Sequence, residues 1–148
     1  MSGVPAEARS KQKLKVLIDA RRLCKYSLTI LQNNNSFKAR PSGNEDADLK
    51  NPPQPELVSK MRDTVIDIFI SAYSANETYL NKANYKHRRQ LQDKATAKCN
   101  ELMALIEMGI PIFHIPVRRV EYWVGQCMLV RNQIQAWKES DYKRYKRL

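Results

Sequence analysis

Two histidines, three cysteines and a set of clustered cations are the side chains of this 148-residue sequence that could do chemistry. His87 lies within Lys86-His87-Arg88-Arg89, and His114 lies between Pro111 and Pro116. A helical-bundle ribonuclease site wants an arginine about one helical turn before its histidine. Residues 81–83 are Asn, Lys and Ala, and residues 108–110 are Met, Gly and Ile, so neither histidine has one. No paired Glu-x-x-His metal motif and no glycine-rich phosphate loop occur. Cys24, Cys99 and Cys127 have no close spacing, which argues against both a zinc module and a disulfide framework. They read as small buried apolar residues. The inventory predicts no catalytic residue, no metal site and no cofactor.

The cations point to binding. Twenty-six Lys plus Arg face fifteen Asp plus Glu, a formal +11. Residues 1–25 carry +5, residues 26–85 carry −1, residues 86–117 carry +2 and residues 118–148 carry +5. Four clusters hold much of the excess: Arg21-Arg22, Lys86 with Arg88 and Arg89, Arg118-Arg119, and Lys143-Arg144 with Lys146-Arg147. Neutralising a phosphate releases condensed counterions, so such groups suit a polyanion, nucleic acid first. Tyr142 and Tyr145 interleave the last cluster and could stack on unpaired bases. No RNP, KH or zinc-finger pattern supports direct sequence readout. A membrane surface is disfavoured, because the cations do not oppose one free apolar face containing large aromatics. No apolar run reaches the roughly 18 residues of a bilayer span, and residues 1–25 lack the apolar core of a signal peptide.

Long stretches without Gly or Pro must position these groups. None interrupts Ala6–Arg40 or Glu56–Met108, and only Gly125 interrupts the chain after Pro116. With no clean period-two alternation, the prediction is all-α. Helix one is expected from about Arg9 to Gln32, with Leu14, Leu17, Ile18, Cys24, Leu28 and Leu31 inward. Residues 33–54 read as a long loop insertion holding three of the seven prolines and an acidic patch at Glu45, Asp46 and Asp48. Helix two opens at Pro55, with Leu57, Met61, Val65, Ile68 and Ala72 on one side, and frays towards Asn81. Helix three runs from Tyr85 to Met108, stopped by Gly109 and Pro111, with Leu91, Ala95, Leu102 and Ile106 inward. Helix four begins near Pro116 and buries Val120, Trp123, Val124, Cys127, Val130, Ile134 and Trp137. The architecture expected is a single-domain antiparallel up-down four-helix bundle over residues 1–148, with residues 1–8 and 142–148 as flexible basic ends. Arg131 falls within the inward stripe, where Asp63 or Asp67 is the expected partner, while Lys138 is expected to reach solvent.

Three helices carry a second apolar row at seven-residue spacing. These are Val16, Leu23 and Ile30; Ile66, Tyr73 and Leu80; and Tyr122, Leu129 and Ala136. A monomer would expose them, so they are the expected interface of a homo-oligomer.

Arg119-Val120-Glu121-Tyr122-Trp123-Val124-Gly125, Val130-Arg131-Asn132 and Ala136-Trp137-Lys138-Glu139-Ser140-Asp141 resemble the last helix of accessory variability determinant proteins. Asp19-Ala20-Arg21 with Tyr26, Thr29 and Asn33 is similar to the opening helix of that family, and Leu102-Met103-Ala104-Leu105-Ile106-Glu107 fits the end of its third. The insertion departs from the pattern. After Phe37-Lys38-Ala39-Arg40 the chain turns acidic and proline-rich, where relatives carry a short basic-aromatic segment. The resemblance implies a non-enzymatic four-helix bundle protein, bacterial or phage-encoded and cytoplasmic, that assembles as a homopentamer. It also implies binding to the reverse transcriptase of a diversity-generating retroelement and to its template RNA, cDNA or RNA–DNA hybrid. Such a protein supports mutagenic cDNA synthesis. Two rival readings are a helical protein-binding adaptor and a bundle of the type encoded in ribosomal-RNA intervening sequences.

Overall fold

The computed structural model describes residues 6–32, 55–113 and 115–148, with the side chains of the first helix from Lys15 onward. Four helices make up these residues: α1 (Ala6–Gln32), α2 (Pro55–Glu77), α3 (Tyr85–Gly109) and α4 (Val117–Tyr145). Pro55 opens α2, where its missing N–H costs no hydrogen bond. Asn81 shapes the entry to α3: its side-chain oxygen accepts the Asn84 N–H at 2.7 Å and its carbonyl accepts the Tyr85 N–H at 2.9 Å. Gly109 ends α3 because the Phe113 ring closes over it. A Cβ there would stand 3.0 Å from Phe113 Cδ2, and the Gly109 carbonyl accepts the Phe113 N–H at 2.8 Å. The insertion at 33–54, His114 and the first five residues lie outside the described residues, as does the Leu14 side chain.

Each helix packs on two neighbours, in the cyclic order α1, α2, α3, α4 and back to α1. Cross-helix pairs run in opposite senses. Residues 88, 93 and 100 of α3 meet residues 141, 138 and 131 of α4. Asp19 and Ser27 of α1 meet Gln133 and Trp123 of α4, and Lys60 and Asp67 of α2 meet Glu101 and Lys98 of α3. Neighbours are therefore antiparallel. One end of the bundle collects the start of α1, the end of α2, the start of α3 and the end of α4.

The inward faces of α2, α3 and α4 are those the sequence predicts, with Met61, Val65, Ile68, Ala72, Leu102, Ile106, Trp123, Cys127, Val130 and Ile134 fully enclosed. Trp123 is anchored as well as packed, because its indole N–H donates to the buried Ser27 hydroxyl at 2.7 Å. Helix α1 is rotated relative to expectation. Val16, Leu23 and Ile30, read from the sequence as an outer row, are buried, whereas Ile18, expected inside, is 38% exposed. At 100° per residue the buried positions of α1 fill an arc of roughly 160° centred on Ala20 and Ser27. A helix wedged between two neighbours needs so wide a face. The middle of that face is small or polar (Asp19, Ala20, Ser27), which a count of large apolar residues passes over.

Four further expectations change. Leu80 is no part of a helical row, since α2 ends at Glu77 and Leu80 lies half-buried in the connection that follows. Residues 142–145 are helical rather than a flexible end, held by the packing described below. Arg131 donates to Asn100 Oδ1 at 3.2 Å instead of pairing with Asp63 or Asp67, because α4 packs on α3 and α1 while α2 lies across the bundle from it. Lys138, expected to reach solvent, pairs with Asp93.

Candidate nucleic-acid interface

The antiparallel order brings two of the four basic clusters to one end. The head of α3 presents Lys86, His87 and Arg89, and the end of α4 presents Lys143 and Arg144 with Lys146 and Arg147 just beyond. The α2–α3 connection adds Lys82, which is exposed and which the clusters in the sequence do not include. Residues 78–89 and 140–148 hold eight basic side chains and one acidic one, Asp141, a formal +7, with Glu77 and Glu139 flanking them and Glu139 3.9 Å from Lys143.

Asp141 is the pivot of the end. It is 1% exposed and accepts four hydrogen bonds. Arg88 gives two, from Nε at 2.6 Å and Nη2 at 3.1 Å; Gln92 gives one at 2.8 Å and Arg144 one at 2.6 Å. The third arm of Arg88 donates from Nη1 to the Thr78 carbonyl at 2.9 Å, and its guanidinium carbon lies 5.1 Å from the Trp137 ring centre. Arg88 is itself 1% exposed. It therefore leaves the set of phosphate-binding candidates: its charge is spent inside the fold, fastening the α2–α3 connection and the end of α4 to the head of α3. Tyr145 changes role in the same way. Its ring stacks on Tyr85 at 3.9 Å between centroids and 7° between planes, so it packs the two helix ends together. Tyr142 remains 43% exposed, with Lys146 Nζ 4.6 Å from its ring centre.

Arg21, Arg22, Arg118 and Arg119 belong elsewhere. All four are exposed, Arg22 lying 3.5 Å from Asp19. Twenty-four residues separate Arg119 from Lys143 along α4, about 36 Å of helix, so the head and tail of α4 form two basic patches and not one. Near Arg119, Tyr26 packs edge-on against Tyr122 with centroids 4.8 Å apart. Burial pushes the Tyr26 phenol up, and the nearby Arg119 charge pulls it partly back.

Of the expected oligomer rows, Ile66 and Tyr73 on α2 and Tyr122 and Leu129 on α4 stay exposed, at 39% to 49%. In the cyclic order α2 and α4 lie across the bundle from each other, so these are two separate faces. Among the described residues no group of three or more His, Cys, Asp or Glu is placed to hold a metal ion, and no helix is long and apolar enough to cross a membrane. Comparison with protein families, curated proteins and solved structures finds no match to this chain.

Proposed function

We propose that this chain is a non-enzymatic RNA-binding helical bundle whose basic end holds a nucleic-acid backbone. The reading rests on one observation: the head of α3, the end of α4 and the connection between α2 and α3 converge, and within residues 78–89 and 140–148 cations outnumber acids eight to one. Six of those cations, Lys82, Lys86, Arg89, Lys143, Lys146 and Arg147, are not committed to Asp141. A field of this sign and density suits phosphates, and the rigid end fixes its geometry.

Following the resemblance in its first, third and fourth helices, the partner protein we propose is the reverse transcriptase of a diversity-generating retroelement. The bundle would hold template RNA or its cDNA hybrid beside the polymerase during mutagenic synthesis, without chemistry of its own. Self-association supports the role, because several weak patches on one ligand give avidity. Two unlike apolar faces across the bundle, Ile66 with Tyr73 and Tyr122 with Leu129, suit head-to-tail contacts that close into a ring such as a pentamer.

The test is salt-dependent RNA binding followed by fluorescence anisotropy. Six contacts to single-stranded RNA give a slope of about −4 in log K against log salt, roughly a 300-fold loss between 50 and 200 mM. Replacing Lys143, Lys146 and Arg147 together with Ala should flatten the slope by about 2. A protein that binds no RNA, or binds it with no salt dependence, favours the protein-binding adaptor instead.

A further inference from the structure

Tyr79 is 78% exposed, the most open large apolar side chain among the described residues, and its place in the α2–α3 connection offers no packing reason for that. Its backbone is nevertheless held. The carbonyl of Thr78, one residue before it, is gripped by Arg88 Nη1, and the Asn81 side chain ties the turn that follows. The same Arg88 guanidinium grips Asp141, one residue before Tyr142. Two exposed tyrosines are therefore each one residue beyond a group held by a single buried side chain, at the end where Lys82, Lys86, Lys143 and Lys146 gather. Of the other exposed tyrosines, Tyr122 stands near the far end of the bundle, and Tyr73 lies within α2, one turn before the connection, rather than beside a group that Arg88 holds. Phosphate contacts alone do not distinguish strands from duplexes, whereas an exposed ring within a basic site stacks on bases that are unpaired.

Building on the proposed RNA-binding role, we infer that the basic end is a single-strand site, in which Tyr79 and Tyr142 are stacking platforms for two unpaired bases and the surrounding lysines hold the connecting phosphates. The Lys146 ammonium covers one face of the Tyr142 ring, and a base stacks on the other. Tyr145, stacked on Tyr85, takes no base.

The experiment compares an oligouridine of about eight nucleotides, within the span of known single-strand sites, with a blunt RNA duplex of the same length. The full chain is used, with Tyr79→Ala, Tyr142→Ala, the double Ala variant, and the corresponding Phe variants, each checked for native helix content by circular dichroism. The native protein should prefer the single strand. Each Ala variant should weaken oligouridine binding roughly fivefold or more, leave duplex binding unchanged, and be rescued by Phe, which keeps the ring. Oligouridine binding that survives in the double Ala variant overturns the inference, as does equal loss on strand and duplex. Salt-dependent binding that is indifferent to both strandedness and the tyrosines leaves the basic end an RNA site but not this one. Binding to neither probe overturns the RNA-binding reading itself and this inference with it.

Discussion

Replacing Asp141 with Ala removes the only carboxylate within reach of the buried Arg88 guanidinium among the described residues. Both side chains are 1% exposed, so water cannot take over from the lost acceptor without opening the end of the bundle. What remains for Arg88 is the Thr78 carbonyl at 2.9 Å and the face of Trp137. An uncompensated buried charge of this kind costs about 3–5 kcal/mol, far more than loss of an exposed pair. For a chain of this length that lowers Tm by roughly 6–20 °C. Urea unfolding followed at the helical circular-dichroism band measures it directly. Arg88→Ala should cost less, about 2–3 kcal/mol, because Asp141 keeps Arg144 at 2.6 Å and Gln92 at 2.8 Å, whereas its half-buried neighbour Arg89 should tolerate Ala within about 0.5 kcal/mol. Arg144→Ala leaves Asp141 paired with Arg88 and Gln92 and should cost about 1 kcal/mol. The decisive variant is Arg88→Met with Asp141→Leu, which buries no charge and should recover much of either single loss. If Asp141→Ala stays within about 1 kcal/mol of native, or if the double variant is worse than the two singles added, the pair is not what holds this end.

Three other outcomes follow from the packing. Gly125→Ala adds a Cβ in open space at an exposed mid-helix position and should stabilise by about 0.5–1 kcal/mol; Gly109→Ala drives a Cβ towards the Phe113 ring and should destabilise by about 1 kcal/mol or more. Thermal melts showing the same sign for both would refute this. Burial raises all three thiols, Cys99 to about 12 and Cys127 higher still, so a thiol reagent at about pH 8 should label half-buried Cys24 slowly and the other two only after unfolding. The hydrogen bond from Lys98, with Lys60 adding to it, holds the Glu101 carboxyl below the ordinary carboxylate range. A lowered folded value stabilises above the unfolded value of 4.5 and is lost as pH falls through the folded one. Glu101→Gln should therefore cost about 0.5–1 kcal/mol at about pH 7, and the gap to native should close in acid.

Much of the candidate site was legible along the chain, because charge clusters are local. Lys86 with Arg89 and Lys143 through Arg147 are visible as runs. That the two runs meet follows from antiparallel order, which helix count and short connections already imply. Lys82 and Tyr79 escaped notice because each stands alone in its segment. Their signal was position: a connection from the end of α2 to the head of α3 must lie at the same end as the end of α4. Arg88 and Tyr145 misled for a complementary reason. A run of cations reads as one solvated patch, yet on a helix successive side chains point about 100° apart, so Arg88 can face inward between exposed His87 and half-exposed Arg89.

Glycine and proline punctuation with apolar periodicity determined the four helices, their boundaries to within a few residues, and the inward faces of three of them. These are consequences of backbone geometry and burial within a single segment, needing no knowledge of neighbours. Tertiary structure alone decided which way α1 turns, since Ala20 and Ser27 face the core on the strength of what packs against them, Trp123 above all. It also decided which charges are spent on the fold. Arg88 and Asp141 are 53 residues apart in sequence and lie within hydrogen-bonding distance in space, and only closure of the bundle sets them there.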